Sequence, residues 1–342
     1  MRFRLASCFS LAGLGLLLAP MGCEAQRSLA WQTESTDDTD TQSTDDTDSD
    51  YKACWVFNHM NKSGGQTVKG LLKTWLARKR ISPGLYDSLE WKSGAEQAES
   101  FLSMDHTLIW GAYAEGLRQF GVPAHCKWFT IFRHPVSRLV SAYYFCQRRF
   151  LDPLCAADVV RADEVDLLTF AQHWTNFGLR QFASAFVLPE EVMSSRLAQR
   201  CPDCPGWYLL RAHLDEQYEK HMHHTRSAPD AAMYQLLEPV QVLLENEYAA
   251  VGILERYNTT LHLFDAALQM PGVNWPLAFK KSGMVNQDKL FRMDIERATE
   301  KAMTDVKIKK YLQLDLLLYE HAVAVHIAQA EKHGLGKVAA KA

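Results

Sequence analysis

Two segments of the chain run from a short β-rich stretch, through a turn carrying a cationic side chain, into a helical pattern, and they limit what the rest can fold into. In the first, Cys54-Trp-Val-Phe-Asn58 is followed by His59-Met-Asn-Lys62-Ser-Gly-Gly-Gln-Thr67, then by Val68, Leu71, Leu72, Trp75 and Leu76 at helical spacing. In the second, Trp128-Phe-Thr-Ile-Phe132 passes through Arg133-His134-Pro135 into Val136, Leu139, Val140, Tyr143 and Tyr144. Pro135 suits the first turn of a helix. A third β-rich run lies near 249–254. Strands alternating with helices predict an α/β fold of three layers, a central parallel sheet with helices on both faces and a helical C-terminal portion. In such a sheet a ligand lies across the carboxyl ends of the strands, where Lys62 and Arg133 both emerge.

The residue types in the two turns suit an anion. Gly64 and Gly65 let backbone approach a phosphate closely, with amide hydrogens and the positive end of the following helix directed at it. Lys62 adds a point charge, and Ser63, Gln66 and Thr67 add donors. The lysine precedes the glycines, whereas in the triphosphate-binding Gly-x-x-x-x-Gly-Lys-Ser/Thr loop it follows them, so a triphosphatase loop is a poor match. Alone, Lys-Ser-Gly-Gly fits a surface turn equally well. Arg133 at a strand end, with Ser141 two turns into the helix, forms a fork and hydroxyl suited to a phosphate monoester. Arg138 is expected to pair structurally with an acid.

The N-terminal residues read as an address and a spacer. Arg2 and Arg4 precede an apolar stretch from Leu5 to Leu18, so residues 1–25 form a signal peptide or a signal anchor, the latter a possible membrane attachment. Residues 26–52 hold the near-repeat Ser35-Thr-Asp-Asp-Thr-Asp-Thr-Gln and Ser43-Thr-Asp-Asp-Thr-Asp-Ser-Asp, with nothing apolar to order it, and are expected to be a disordered acidic stalk. The net charge of −3 comes from that stalk; from Tyr51 onward 34 basic residues face 31 acidic ones. So small an excess does not point to nucleic acid, but suits an anionic small ligand or an acidic polymer. Cys54, Cys126, Cys146, Cys155, Cys201 and Cys204 remain beyond the leader, an even count that predicts disulfides in an oxidising lumen. The near neighbours Cys146 with Cys155 and Cys201 with Cys204 are the expected pairs, although six thiols allow about fifteen arrangements.

Val56-Phe-Asn-His-Met-Asn-Lys-Ser-Gly-Gly-Gln-Thr67 together with Phe129-Thr-Ile-Phe-Arg-His-Pro-Val-Ser-Arg-Leu-Val-Ser-Ala-Tyr143 resembles the carbohydrate sulfotransferases that use 3′-phosphoadenosine 5′-phosphosulfate (PAPS), most closely the uronyl and heparan sulfate 2-O-sulfotransferase branch. Ala250-Val-Gly-Ile-Leu-Glu-Arg-Tyr257 and the terminal segment with Asp315, Leu318, Tyr319 and Ala322 are similar to later parts of that family. The resemblance implies a P-loop nucleotide-kinase-like sheet, a sulfotransferase domain over 53–335, PAPS as co-substrate without a metal, and a carbohydrate or polysaccharide acceptor in the Golgi lumen or outside the cell. It assigns Lys62, Ser63, Gly64, Gly65, Gln66 and Thr67 to the 5′-phosphosulfate, with Lys62 also catalytic, and Arg133 and Ser141 to the 3′-phosphate. Gln66 stands where the family usually has Thr, a departure at the phosphosulfate contacts.

The same branch uses a histidine base between the two motifs, which places His106 in that role, with His59 and Glu90 in reserve; a neutral imidazole can take a hydroxyl proton near neutral pH. His221-Met-His223-His224 reads as a solvated loop and Cys201-Pro-Asp-Cys204 lacks a partner pair at zinc spacing, so no metal site is expected. Phe279-Lys-Lys-Ser-Gly283 fits either a loop over the donor or an exposed basic turn. Asn258-Thr-Thr260 is a glycosylation sequon; Asn61-Lys-Ser63 is another, but a glycan there would block the donor loop. Two alternatives remain: a secreted kinase-like phosphotransferase, which would turn over ATP, and an inactive glycan-binding module, which would bind acceptor without turnover.

Overall fold

In the first motif, Trp55–Asn58 forms strand β1, and the turn after it opens helix α1 (Gly65–Lys79). This computed structural model describes residues 53–80, 86–88, 107–149 apart from 113, 121, 123 and 124, then 155, 161–186, 231–273, 275 and 289–336. The leader, the stalk, Glu90, His106, Cys201, Cys204, the histidines at 221–224 and residues 279–283 lie outside the described residues.

Further along are β2 (Tyr86–Ser88), β3 (Leu108–Gly111), β4 (Lys127–Phe132) and, after helix α2 (Pro135–Arg148), the short helices α3 (Leu167–His173) and α4 (Phe177–Ala183). Helix α5 (Ala231–Asn246) leads into β5 (Tyr248–Ile253) and α6 (Tyr257–Leu268). Helices α7 (Lys289–Thr304), α8 (Val306–Tyr311) and α9 (Gln313–Lys332) complete the described chain. The strands form one sheet in the order β2-β3-β1-β4-β5, and every neighbouring pair is parallel. The three anticipated strands match β1, β4 and β5 to within about a residue; β2 and β3 were not anticipated.

Alternation along the strands divides the side chains between two faces. Trp55 and Phe57 of β1, Phe129 and Ile131 of β4, and Ala250 of β5 pack with Val68, Leu72 and Trp75 of α1 and with Leu261 and Phe264 of α6. On the opposite face Val56, Trp128, Phe132, Val251 and Ile253 meet α4, α5 and α9. Both faces are buried, which accounts for strands that read as apolar runs rather than alternating ones. Burying each large side chain is worth about 1.5–3 kcal/mol. The two indoles on the α1 face keep their polar edge satisfied: Trp55 Nε1 donates to the Leu268 carbonyl at 3.0 Å and Trp75 Nε1 to that of Pro271 at 2.8 Å. A separate apolar cluster joins α2 and α3 to the C-terminal helices α7 and α8.

Cys146–Cys155 is bridged as expected, and Cys54–Cys126 closes a second disulfide at the starts of the neighbouring strands β1 and β4. Two disulfides fit a secretory or extracellular protein. Among the described residues no helix is long and apolar enough to cross a membrane.

Helix α9 descends along β5. Tyr319 reaches Glu255 just beyond the strand, His326 Nδ1 lies 2.8 Å from the Val251 carbonyl, and Gln329 Nε2 donates to the Tyr248 carbonyl at 2.8 Å. Its first half therefore lies at the carboxyl edge of the sheet, beside the ends of β4 and β5.

Candidate functional site

Because β1 and β4 are adjacent and parallel, with Asn58 opposite Thr130, their carboxyl ends emerge side by side. Thr130 Oγ1 donates to the Asn58 carbonyl at 2.8 Å and the His59 amide donates to the Gly111 carbonyl at 2.8 Å, so the β1 end is tied to strands on both sides. Three residues beyond His59 the turn becomes unusual. Lys62 has φ +63°, a left-handed conformation that costs a non-glycine residue roughly 1–2 kcal/mol. Such strain persists only where its surroundings enforce it, and it concentrates at functional sites.

The glycines answer to contacts on both sides of the turn. A Cβ on Gly65 would lie 2.0 Å from His59 Cδ2, and one on Gly64, at φ +83°, would lie 2.7 Å from Leu254 Cδ1. The buried His59 ring thus packs directly against the start of α1. Gly64 gives α1 no side-chain cap, and the first turn holds no acid. The positive pole of α1 therefore meets no carboxylate from its own first turn. The Lys62 ammonium rests 4.0 Å from the centroid of the Phe145 ring on α2.

Arg133 follows the last residue of β4, and its Nη1 donates to the Lys62 carbonyl at 3.3 Å. The two predicted signatures are thus in direct contact. Burial lowers the Arg133 pKa, with Glu255 opposing that shift and Arg138 adding to it; a guanidinium so placed still carries its charge. Ser141 is half-buried on α2, four residues before Phe145, so the two side chains share a stripe of the helix and Ser141 lies on the side that receives Lys62. Lys62, Ser63, Gly64, Gly65, Gln66, Thr67, Arg133 and Ser141 accordingly belong to one edge of the sheet. Ser63 is fully buried there, with no hydrogen-bond partner for its hydroxyl among the described residues.

Arg138 does find its acid. It meets Asp315 of α9 at 2.5 Å, both side chains are buried, and the same carboxylate accepts the amides of Gly178 and Leu179 at the start of α4 at 3.1 and 2.8 Å. This pairing braces α2 from behind.

His106 lies outside the described residues. His59 is the reserve histidine at the carboxyl edge. Among the described residues no cluster of three His, Cys, Asp or Glu side chains could hold a metal.

Sequence reasoning named the segment after β5 only as part of the resemblance and gave it no role at the site. Leu254 packs on Gly64, Tyr257 lies beside Thr67, and Glu255 accepts the His134 amide at 2.8 Å and the Tyr319 hydroxyl at 3.1 Å. Burial pushes the Tyr257 phenol up to about 12. The usable signal was position: these residues stand just beyond the third strand, as Lys62 and Arg133 stand beyond the other two. Also unforeseen was a buried chain under the β1 end. Asn58 Nδ2 donates to the Tyr248 hydroxyl at 3.0 Å, Tyr248 donates to Glu115, and Glu115 meets Arg118 at 2.5 Å. Burial raises the Glu115 carboxyl, Arg118 pulling it the other way.

No family model matches the chain, and no curated protein matches it.

Proposed function

We propose that this chain is a PAPS-dependent sulfotransferase acting on a hydroxyl of a carbohydrate, in the Golgi lumen or outside the cell, and anchored as a type II membrane protein if its leader is retained. The observation that carries the reading is the contact of Arg133 with the Lys62 carbonyl: two cationic turns, assigned by resemblance to opposite ends of one nucleotide, meet at adjacent strand ends. The all-parallel order β2-β3-β1-β4-β5, with the site at the carboxyl edge, supports a P-loop nucleotide-kinase-like type of fold.

When bound, PAPS supplies a sulfuryl group whose bond to the bridging phosphate oxygen breaks as the acceptor oxygen attacks in line, by analogy with phosphoryl transfer. The residues then divide the work. Lys62 and the first amides of α1 stabilise charge developing on the departing phosphate. Arg133, with Ser141, holds the far phosphate and fixes the direction of attack. A neutral imidazole takes the acceptor proton; resemblance assigns this to His106, and His59 is its rival.

The test is labelled-PAPS transfer onto a panel of desulfated polysaccharides. Lys62→Ala is expected to abolish transfer and Arg133→Ala chiefly to weaken donor binding. His106→Ala and His59→Ala, compared for turnover against pH, assign the base. Transfer supported by ATP and not by PAPS would replace this reading with a phosphotransferase, and acceptor binding without turnover would replace it with an inactive module.

A further inference from the structure

Helices α1 and α2 start beside one another, and neither has a side-chain cap on its own N-cap residue or an acid in its first turn. They differ in what arrives from elsewhere. The register pairs Phe132 with Ile253, so His134 and Glu255 each stand two residues beyond that pair, one at the start of α2 and one in the turn after β5. Glu255 Oε1 accepts the His134 amide at 2.8 Å, while its Oε2 accepts the Tyr319 hydroxyl at 3.1 Å. The His134 ring stands edge-on to Tyr319 with centroids 5.3 Å apart. The carboxylate is thus fastened at both oxygens, next to the residue that follows Arg133. Its charge favours the cationic form of the desolvated Arg133 guanidinium.

We propose that Glu255 is the internal anion of this site: its carboxylate partly neutralises Arg133 and the positive pole of α2, and so weakens the hold on a bound nucleotide phosphate and speeds product release. The inference rests on the sulfotransferase reading, since it concerns the phosphate that Arg133 would grip. A half-buried arginine beside a helix start is a strong anion trap, and a turnover enzyme needs its product to leave. Glu255 is solvent-exposed, so its carboxylate moderates the trap without closing it.

Calorimetric titration with adenosine 3′,5′-bisphosphate tests this on the full chain with its disulfides intact. Glu255→Gln keeps an acceptor for the His134 amide, turns the Tyr319 hydroxyl from donor to acceptor and removes the charge, so it is expected to bind about 3- to 10-fold tighter at low ionic strength, with the gain shrinking as KCl rises. Tyr319→Phe keeps the charge and is expected to stay within about two-fold of wild type. Unchanged or weaker binding by Glu255→Gln, or a gain insensitive to salt, overturns the Glu255 assignment and leaves the donor reading intact. A Tyr319→Phe change as large as that of Glu255→Gln overturns the electrostatic account in favour of a packing one. If wild type does not bind the bisphosphate, the donor reading falls and this inference falls with it.

Discussion

The turn after β1 and the edge after β4 are neighbours, yet they are built on opposite principles. The turn has two residues at positive φ, Lys62 and Gly64, an α1 start without a side-chain cap, and glycines pressed against His59 and Leu254. The edge is braced by Pro135 in the first turn of α2, by Glu255 on the His134 amide, and by Arg138 locked to Asp315. One region holds strain and brings backbone close to where a ligand would lie; the other is a rigid reference against which that backbone is positioned. The bond from Arg133 to the Lys62 carbonyl joins strained to braced.

Lys62→Gly separates the two principles most sharply. Glycine accepts φ +63° without penalty, which offsets the lost contact with Phe145, so the melting temperature should stay within the range of about 1 kcal/mol while transfer falls by at least about 1,000-fold. Parallel loss of stability and activity would mean that Lys62 is structural. Asp315→Ala should do the reverse. It leaves Arg138 buried without its counter-charge and strips acceptors from the start of α4, at a cost of about 3–5 kcal/mol in chemical denaturation. If Asp315→Ala unfolds at the wild-type midpoint, the edge is not braced in the way described. Gly65→Ala comes next, at about 1–3 kcal/mol, because the new methyl group meets the His59 ring and the ring or the start of α1 must shift. His59→Ala in the same chain should recover part of that loss, and a double mutant no more stable than Gly65→Ala would contradict the contact.

The braced side was less legible in the sequence than the strained side, for a physical reason. Lys62, Gly64 and Gly65 are consecutive or nearly so, and the close approach they permit depends on their own residue types. Arg138 could be given an acid but not Asp315 in particular, because a partner 177 residues away is chosen by the path of α9. The contact of Glu255 with Tyr319 was likewise not foreseen, although both residues lie in segments that carry the resemblance, because it is assembled from the end of β5 and from α9. Strands β1, β4 and β5 were readable as β-rich runs next to helical patterns, whereas the four-residue β3 and the three-residue β2 carry too little pattern to be read as strands. The Cys54–Cys126 bridge was also beyond near-neighbour reasoning: those cysteines approach because the starts of β1 and β4 are paired, a fact of sheet order and not of spacing.

The smallest effect expected concerns acid, and it probes the braced edge alone. Burial lowers the pKa of His134, with Lys309 acting the same way and Glu255 opposing, and burial also lowers that of His326 against the sheet. A histidine that resists protonation when folded is protonated more readily in the unfolded chain. Its contribution is therefore intact above about pH 6.5, the unfolded value, and is lost as pH falls below it toward the folded value. Melting temperatures measured from pH 7.5 to 5.5 should decline for wild type and decline less steeply for His134→Gln. Glu115, with its carboxyl raised by burial, contributes in the opposite sense, but it is common to both proteins and cancels in the comparison. Equal slopes would show that His134 titrates alike in the folded and unfolded chains, and that the bonds of Glu255 to the α2 start and to Tyr319 hold the edge without help from a neutral imidazole.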